Sequence, residues 1–330
     1  MTQLDRKVAG ASKDAPAPAG QAKPASQPTN RRTSLRTKLE IGFFLTPALL
    51  LYLVFVLLPI SLAVYYSFYK WNGIGPLNDF IGVDNYVRAL QNEVFLNALT
   101  HNGIIMGLSL LLQLPIGLAL ALLLNRKMPG RSALRMIYFA PYVLSEVITG
   151  VTWLLILQPD SLIDRLMESV GLGSLVQLWL ADLDLVLYTM FVVITWKYIG
   201  FAIILFLAGL QGIPQELTEA AAIDGASEWQ QIRHITVPLL GPTIRIWAFL
   251  SIIGSLQLFD LIWIMTRGGP AGASSTMATY LIDHGFQRYQ FGYGSAVAVV
   301  LFLISFIIAL AYQRFVLRRD TEGALTRMVG

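Results

Sequence analysis

The chain has 330 residues, of which 55% are hydrophobic and 13% are charged, whereas a soluble domain carries about 25% charged residues to face water. This composition excludes a soluble globule and predicts that lipid surrounds most of the chain. The absence of cysteine excludes disulfides and thiolate metal sites. The net charge of +4 does not indicate a nucleic-acid partner, because the basic residues lie at the ends of apolar runs.

The first 38 residues are rich in Ala, Pro, Lys, Ser and Gln and contain almost no large apolar residue. Such a segment cannot bury enough apolar surface to order itself, so residues 1–38 are predicted to form a flexible cytoplasmic tail. A transmembrane domain is predicted over residues 39–319, followed by a cytoplasmic tail over 320–330. The first apolar run is too long for a signal-peptide core and is expected to remain as an anchor.

Six runs reach the length of roughly 20 apolar residues that crosses the hydrocarbon core of a bilayer. They are approximately Ile41–Phe68, Asn102–Leu124, Leu134–Leu157, Leu185–Leu210, Ile244–Met265 and Tyr293–Val316. The apolar stretch Ser174–Leu185 is interrupted by Asp182 and Asp184. It is interpreted as interfacial or re-entrant, with a seventh span as the alternative. The predicted fold is therefore an all-α integral membrane protein with about six transmembrane helices.

Lysine and arginine predict the orientation, because they concentrate in cytoplasmic loops. With the N-terminus inside, eighteen of the 24 basic residues fall on the cytoplasmic side and five outside, and Lys197 lies within a span. An even number of spans then leaves both termini in the cytoplasm.

The segment 211–241 is predicted to form a helix-turn-helix on the cytoplasmic side. It begins with a run of strong helix formers, and Gly225 can adopt the left-handed conformation that ends a helix. Ser227 with Gln230 three residues later matches a capping box that opens a second helix. Pro238 is expected to stop this helix before the next span begins.

A Glu-Ala-Ala triplet in this segment is followed at fixed distances by Gly, Ile and Pro, the residues being Glu219, Ala220, Ala221, Gly225, Ile235 and Pro238. The pattern resembles the EAA loop of ABC importer permeases, except that Val237 stands where that family usually has Leu. The alternative is a chance triplet in an ordinary amphipathic loop. The full spacing and the position before the penultimate span disfavour that alternative.

The resemblance implies that the loop forms coupling helices that dock into a groove on a separate ATP-binding subunit. The small side chains of Ala220 and Ala221 would let the helix lie close in the groove. Glu219 would pair with an arginine of that partner, and Gly225 would make the turn. ATP and Mg would be bound by the partner, because this chain contains no Gly-x-x-x-x-Gly-Lys-Ser/Thr loop.

Further stretches resemble the maltose-type sugar permeases, namely Ser255–Asp260, Met265–Pro270, Phe291–Gly294 and Gly82–Tyr86. The resemblance extends from about Ile41 to Arg319 and implies the type I ABC importer permease fold in a bacterial cytoplasmic membrane. It also implies a heterodimer with a second related permease subunit, two copies of an ATP-binding subunit and an extracytoplasmic solute-binding protein. The large extracytoplasmic insertion and extra N-terminal spans of the enterobacterial maltose subunit are absent.

In maltose-type permeases the solute contacts come from the spans before and after the EAA loop. By that resemblance, the predicted solute path comprises Lys197, Tyr198, Phe201, Gln257 and Leu258. A sugar suits this mixture, because its hydroxyls form hydrogen bonds and its C–H groups pack on aromatic faces. Lys197 replaces an expected apolar residue. It would bind an anionic or highly hydroxylated solute, or else Lys197 and Glu146 would pair with each other or with a partner subunit.

The chain is expected to be a transport subunit and not an enzyme. Its three histidines lie in different loops without metal-ligand spacing, and no nucleophile–base arrangement stands out. The predicted solute is a disaccharide or oligosaccharide, with glycerol phosphate or another polyol as the alternative. A secondary transporter is the other class considered, but the inverted repeats typical of that class are not evident in the sequence.

Overall fold

The computed structural model describes residues 35–317, with side chains described from residue 39 onward. The predicted tails therefore lie largely outside the described residues, although the first helix already begins at Leu35. The first four helices are α1 Leu35–Tyr52, α2 Leu58–Tyr66, α3 Asp84–Gln91 and α4 Glu93–Leu108. The next four are α5 Leu114–Asn125, α6 Arg131–Val143, α7 Glu146–Ile156 and α8 Leu162–Ser169.

The second half of the chain begins with the longest helix and continues through the predicted cytoplasmic loop. Its first helices are α9 Val186–Gln211, α10 Gln215–Ile223, α11 Glu228–Gln231 and α12 Val237–Leu239. They are followed by α13 Gly241–Leu256, α14 Asp260–Met265, α15 Met277–Ile282 and α16 Phe291–Tyr312. Within the described range no strand forms, and one isolated antiparallel bridge joins Tyr69 to Phe80. The predicted all-α fold is confirmed.

Several helices continue into one another through single π-helical turns. These turns are Leu53–Leu57, Ser109–Gln113, Ile232–Thr236, Asp283–Gln287 and Gln313–Leu317. Five helical stretches are long and apolar enough to cross a membrane. They are Leu39–Tyr66, Glu93–Asn125, Val186–Gln211, Gly241–Met265 and Phe291–Leu317. Each corresponds to one of the six predicted spans.

The remaining predicted span, Leu134–Leu157, is not one continuous helix. The structure forms α6 and α7 there, and the two are bent by 98° at a short break. Pro141 removes a backbone donor near the end of α6. Leu144 and Ser145 are extended, and the Ser145 hydroxyl accepts the Ile148 N–H and so begins a new helix. Counted as one span, this bent pair brings the total among the described residues to six.

The stretch 174–185 does not form a seventh span. A 3₁₀ turn at Gly173–Leu175 is followed by turns and irregular backbone until α9 begins. The Asp182 carboxylate accepts the backbone N–H groups of Asp184 and Leu185, and so starts α9 beyond the stretch. Its placement at the membrane interface stays a prediction.

α9 is the central helix of the fold. In the apolar 18-residue stretch of α9, 61% of the residues are buried inside the protein. In the corresponding stretches of the other candidate spans the share is 33% or less. Close approach makes this possible: a Cβ atom on Gly200 would clash with the carbonyl oxygen of Tyr138 in α6. On the α5 side, a Cβ atom on Gly117 would lie 2.9 Å from Cβ of Ala202. α9 is thus packed directly against the backbones of its neighbours, which fixes the positions of the side chains described below.

Candidate functional site

The segment 211–241 folds as two short helices at a turn. α10 ends before Gly225, whose φ of +83° is readily adopted by glycine. Ser227 and Gln230 then form the predicted capping box: the Ser227 N–H donates to Gln230 Oε1 at 2.8 Å, and the Gln230 N–H donates to Ser227 Oγ at 3.4 Å. The predicted helix-turn-helix is confirmed.

The expected helix stop at Pro238 is wrong. The chain remains helical through a π turn and through α12, and the break falls at Leu240 instead. Pro238 lies in the first turn of α12, where its missing N–H is tolerated. A widened turn before a proline therefore allows the chain to continue where an α-helix would have ended.

The predicted coupling residues lie on or near the outer surface of this loop. Glu219, Ala220, Gly225 and Pro238 are exposed, and Ala221 and Ile235 are half-buried. Two large apolar side chains project beside them, with Ile223 86% and Trp229 67% exposed. An ion pair fastens the loop to the end of α5, because Arg126 Nη2 lies 2.7 Å from Glu228 Oε2.

A cavity of about 330 Å³ lies between the spans, bounded by α4 and the π turn that follows it, by α6, and by α9 and α13. Its polar lining residues are Ser109, Gln113, Tyr198, Ser251 and Ser255. Its other lining residues include Tyr142, Phe201, Trp247, Ile194 and Leu258. Among the described residues that line it, none is acidic or basic. The cavity therefore offers hydroxyl and amide groups together with aromatic faces.

Three of the five predicted path residues meet in this cavity. Tyr198, Phe201 and Leu258 line it, whereas Lys197 and Gln257 do not. Gln257 ends α13 with helix-breaking backbone angles, and its side chain is exposed at the gap before α14. Gln257 therefore lies outside the cavity lining, at the residue where the chain leaves the helix.

Lys197 is buried, and its ammonium group contacts backbone carbonyl oxygens and a carboxylate of this chain. Its side chain is 2% exposed. Its ammonium donates to the carbonyl oxygen of Leu144 at 2.6 Å and, more weakly, to that of Pro141 at 3.4 Å. The Lys197 ammonium also lies 3.5 Å from Glu146 Oε1. The predicted alternative, a pairing of Lys197 with Glu146, is therefore observed. The Tyr198 hydroxyl donates to the same carboxylate oxygen at 2.7 Å.

The sequence reasoning missed several lining residues that carried a readable signal. Ser109 and Gln113 stand four residues apart in an apolar run, and so do Ser251 and Ser255. Polar residues at this spacing share one helix face. Tyr142 carried no such signal, because its position depends on the break between α6 and α7. Its ring stacks on that of Phe201, with centroids 5.2 Å apart.

The helical spans and the helix-turn-helix of residues 211–241 are those of a membrane transport permease. The chain belongs to the family of binding-protein-dependent transport system inner membrane components, whose model matches residues 113–321. The chain is therefore a multi-pass inner membrane component of such a system, and the predicted importer permease of type I fold is confirmed.

Particular relatives support this assignment. A probable ABC transporter permease protein of Pyrococcus horikoshii is 35% identical over 274 residues, which cover 82% of this chain and 94% of the relative. The trehalose/maltose transport system permease protein of Thermococcus litoralis is 30% identical over 277 residues, covering 83% and 93%. The fold is similar to that of a bacterial ABC transporter involved in the import of the acidic polysaccharide alginate. The TM-score is 0.75 at 24% identity, and the match covers 86% of this chain and 98% of that chain.

Proposed function

We propose that this chain is a permease subunit of an ATP-driven importer that carries an uncharged disaccharide or oligosaccharide across the cytoplasmic membrane. The observation that carries the proposal is the cavity between the spans, which combines hydroxyl and amide groups with stacked aromatic rings. A sugar presents the matching surfaces, since its hydroxyls donate and accept hydrogen bonds and its C–H faces pack on rings.

The charge of the lining favours a neutral solute over glycerol phosphate. An anion inside the membrane needs a counter-charge, and no charged side chain of the described residues lines the cavity. Lys197 is turned toward backbone carbonyls and Glu146. The relative from Thermococcus litoralis is named for trehalose and maltose transport, which supports the same solute class.

ATP hydrolysis is assigned to a separate partner that also binds Mg. In this proposal the exposed surface of α10 and α11 docks in a groove of the ATP-binding subunit. Ala220 and Ala221 allow close approach, Glu219 pairs with an arginine of that subunit, and Gly225 keeps the turn tight. Ile223 and Trp229 supply buried apolar area at the contact. Closure of the two ATP-binding subunits then moves the loop and opens the spans outward.

The remaining parts of the assembly follow from the same proposal. A second related permease subunit completes the translocation path, and the exposed Gln257 is assigned to the interface between the two. A solute-binding protein delivers the sugar from outside. Both termini lie in the cytoplasm, in agreement with the distribution of lysine and arginine.

The test is uptake by the assembled transporter in liposomes, with the partner permease, the ATP-binding subunits and the solute-binding protein present. Labelled maltose, a uronate-containing disaccharide and glycerol phosphate are compared at equal concentration, with and without ATP. ATP-dependent uptake of a neutral sugar is expected. Uptake confined to the anionic solutes would contradict the solute class, and uptake independent of the ATP-binding subunits would contradict the importer.

A further inference from the structure

The break between α6 and α7 leaves backbone polar groups without helical partners in a chain that lies in lipid. Where a helix ends inside the membrane, its last carbonyl groups lose their helical partners and must find others. The Leu144 N–H returns to the Pro141 carbonyl at 3.3 Å. The Leu144 carbonyl itself lies in extended backbone outside both helices.

Lys197 supplies the missing donors from α9. An ammonium has three N–H groups and no acceptor, and this one faces three acceptors: the two carbonyl oxygens of Leu144 and Pro141 and one oxygen of Glu146. A buried charge is stable only when it is both paired and hydrogen-bonded. The three contacts together meet that condition, so Lys197 has a structural explanation that involves no solute.

Glu146 extends this arrangement to the cavity. It is the first residue of α7, and its Oε1 accepts the hydroxyl of Tyr198 from α9. Tyr198 lines the cavity, as does Tyr142, which lies near the end of α6 and stacks on Phe201. The residues on both sides of the break are therefore tied to consecutive residues of α9.

We propose that Lys197 is a positioning residue that, with Glu146, clasps the α6–α7 break against α9 and thereby sets the aromatic wall of the cavity formed by Tyr142, Tyr198 and Phe201. The clasp holds the bend by its contacts with the Leu144 and Pro141 carbonyls, and it stays neutral overall because Glu146 balances the ammonium. The consequence for transport rests on the proposed function, whereas the effect on the bend does not.

The bend can be measured by spin-label distances in the complete transporter. The chain contains no cysteine, so labels attach in this subunit only at introduced positions. Met136 and Leu155 are 65% and 59% exposed on the two sides of the break. A control pair at Tyr188 and Ile204, both exposed, lies on α9 alone, where the helical rise predicts a separation of about 24 Å.

Lys197→Met is expected to broaden and shift the Met136→Cys/Leu155→Cys distance distribution and to leave the α9 control pair unchanged. Lys197→Arg should restore the narrow distribution, because a guanidinium also donates to several acceptors at once. Thr195→Val is a matched control two residues away on α9. Its hydroxyl has no partner among the described residues, so the distribution should stay narrow. A narrow, unshifted distribution in Lys197→Met would overturn the proposal.

Transport kinetics give the second readout. Lys197→Met should raise the KM for the transported sugar by about tenfold or more at equal subunit assembly, while Lys197→Arg stays close to the wild type. Lys197→Met/Glu146→Gln removes the charge imbalance but not the loss of carbonyl donors, so it should remain impaired. A wild-type KM in the double variant would show that Lys197 only balances the charge of Glu146, and would refute its positioning role.

If Lys197→Met does not assemble, the same labels are used in Glu146→Gln, which preserves side-chain volume. An intermediate broadening is expected there, and a wild-type distribution would overturn the clasp. Failure of the wild-type transporter to take up any neutral sugar would instead refute the proposed function. The distance measurement would still be readable in that case, so the two failures are distinguishable.

Discussion

The ring of Tyr142 stacks on that of Phe201, with centroids 5.2 Å apart and planes inclined by 20°. The two residues come from α6 and α9, and both line the cavity. Stacked aromatic side chains present a broad flat face, which is the surface that packs against the C–H groups of a sugar ring. The pair therefore joins the bent span to the central helix at the proposed solute site.

Removing one ring of this pair should weaken solute binding. Tyr142→Ala is expected to raise the KM for uptake about threefold to tenfold, because an aromatic contact contributes about 0.5–1.5 kcal/mol beyond its buried area. Tyr142→Phe keeps the ring and should remain close to the wild type. ATP-dependent uptake in liposomes measures the difference. An unchanged KM in Tyr142→Ala would show that the stacked pair does not contribute to solute binding.

The proposed coupling loop should be sensitive at Glu219 and tolerant one turn earlier. Glu219→Ala is expected to reduce solute-stimulated ATP hydrolysis and uptake by about tenfold, because the proposed charge pair with the ATP-binding subunit is lost. Glu216→Ala is the matched control, since Glu216 is also exposed on α10. Both variants should insert in the membrane equally. Equal activity of the two variants would contradict the assignment of Glu219.

The turn of the same loop makes a separate prediction. Gly225 has a φ of +83°, and a side chain in the left-handed region is strained by roughly 1–2 kcal/mol. Gly225→Ala should therefore lower uptake moderately, and Gly225→Pro, whose φ is fixed near −65°, should abolish coupling. Gly212, which has negative φ at the end of α9, is the control position for Gly→Ala. Normal coupling in Gly225→Pro would show that the turn is not needed.

Local features were predictable from the sequence, and breaks within apolar runs were not. The capping box of Ser227 with Gln230 and the turn at Gly225 depend on residues a few positions apart, so the pattern alone specified them. The mean hydropathy of the run that contains Pro141 is that of an ordinary span, so it does not reveal the 98° bend. The bend is stabilised by Lys197, which lies 53 residues beyond Leu144 in the sequence. Contacts to backbone carbonyls leave no trace in composition or periodicity, so the bonds of Lys197 to Leu144 and Pro141 could not be predicted, although its pairing with Glu146 was one of the two alternatives.

A second break, between α13 and α14, also has its backbone carbonyl groups bonded by a buried polar side chain from another helix. α13 ends at Leu256, and the fully buried Asn102 of α4 donates from Nδ2 to the carbonyl oxygens of Ser255 at 2.6 Å and Leu256 at 3.4 Å. Its Oδ1 accepts the N–H of Met277 at the start of α15. The side-chain amide of Asn102 therefore forms hydrogen bonds with buried backbone groups of both α13 and α15.

Loss of this amide should destabilise the protein. Asn102→Ala is expected to lower the free energy of unfolding by about 2 kcal/mol, because buried backbone groups are left without partners. Thr100→Ala is the control, since the Thr100 hydroxyl is exposed and bonds only within its own helix, to Leu96. Thermal unfolding of the purified transporter in detergent measures both. A melting temperature of Asn102→Ala equal to that of Thr100→Ala would contradict the role of the amide.

The last prediction concerns His284, which lies outside the candidate spans. Its ring stacks on Tyr280 at 3.9 Å, its Nδ1 contacts the Tyr280 carbonyl, and Asp283 and Arg288 lie nearby. Burial lowers the pKa of His284 below its ordinary value of 6.5, with Arg288 acting in the same direction and the Tyr280 carbonyl and Asp283 opposing it. Between the two pKa values the unfolded chain therefore binds more protons than the folded protein, and folding stability rises with pH.

Acidification should consequently destabilise this part of the protein, beginning near pH 6.5 and levelling off below the folded-state pKa of His284. His284→Gln removes the titrating group, so its melting temperature should fall less than that of the wild type when the pH is lowered from about 7 to about 5. His234→Gln, at an exposed residue of the segment between α9 and α13, is the control substitution. Parallel profiles for His284→Gln and the wild type would show that protonation of His284 does not oppose folding.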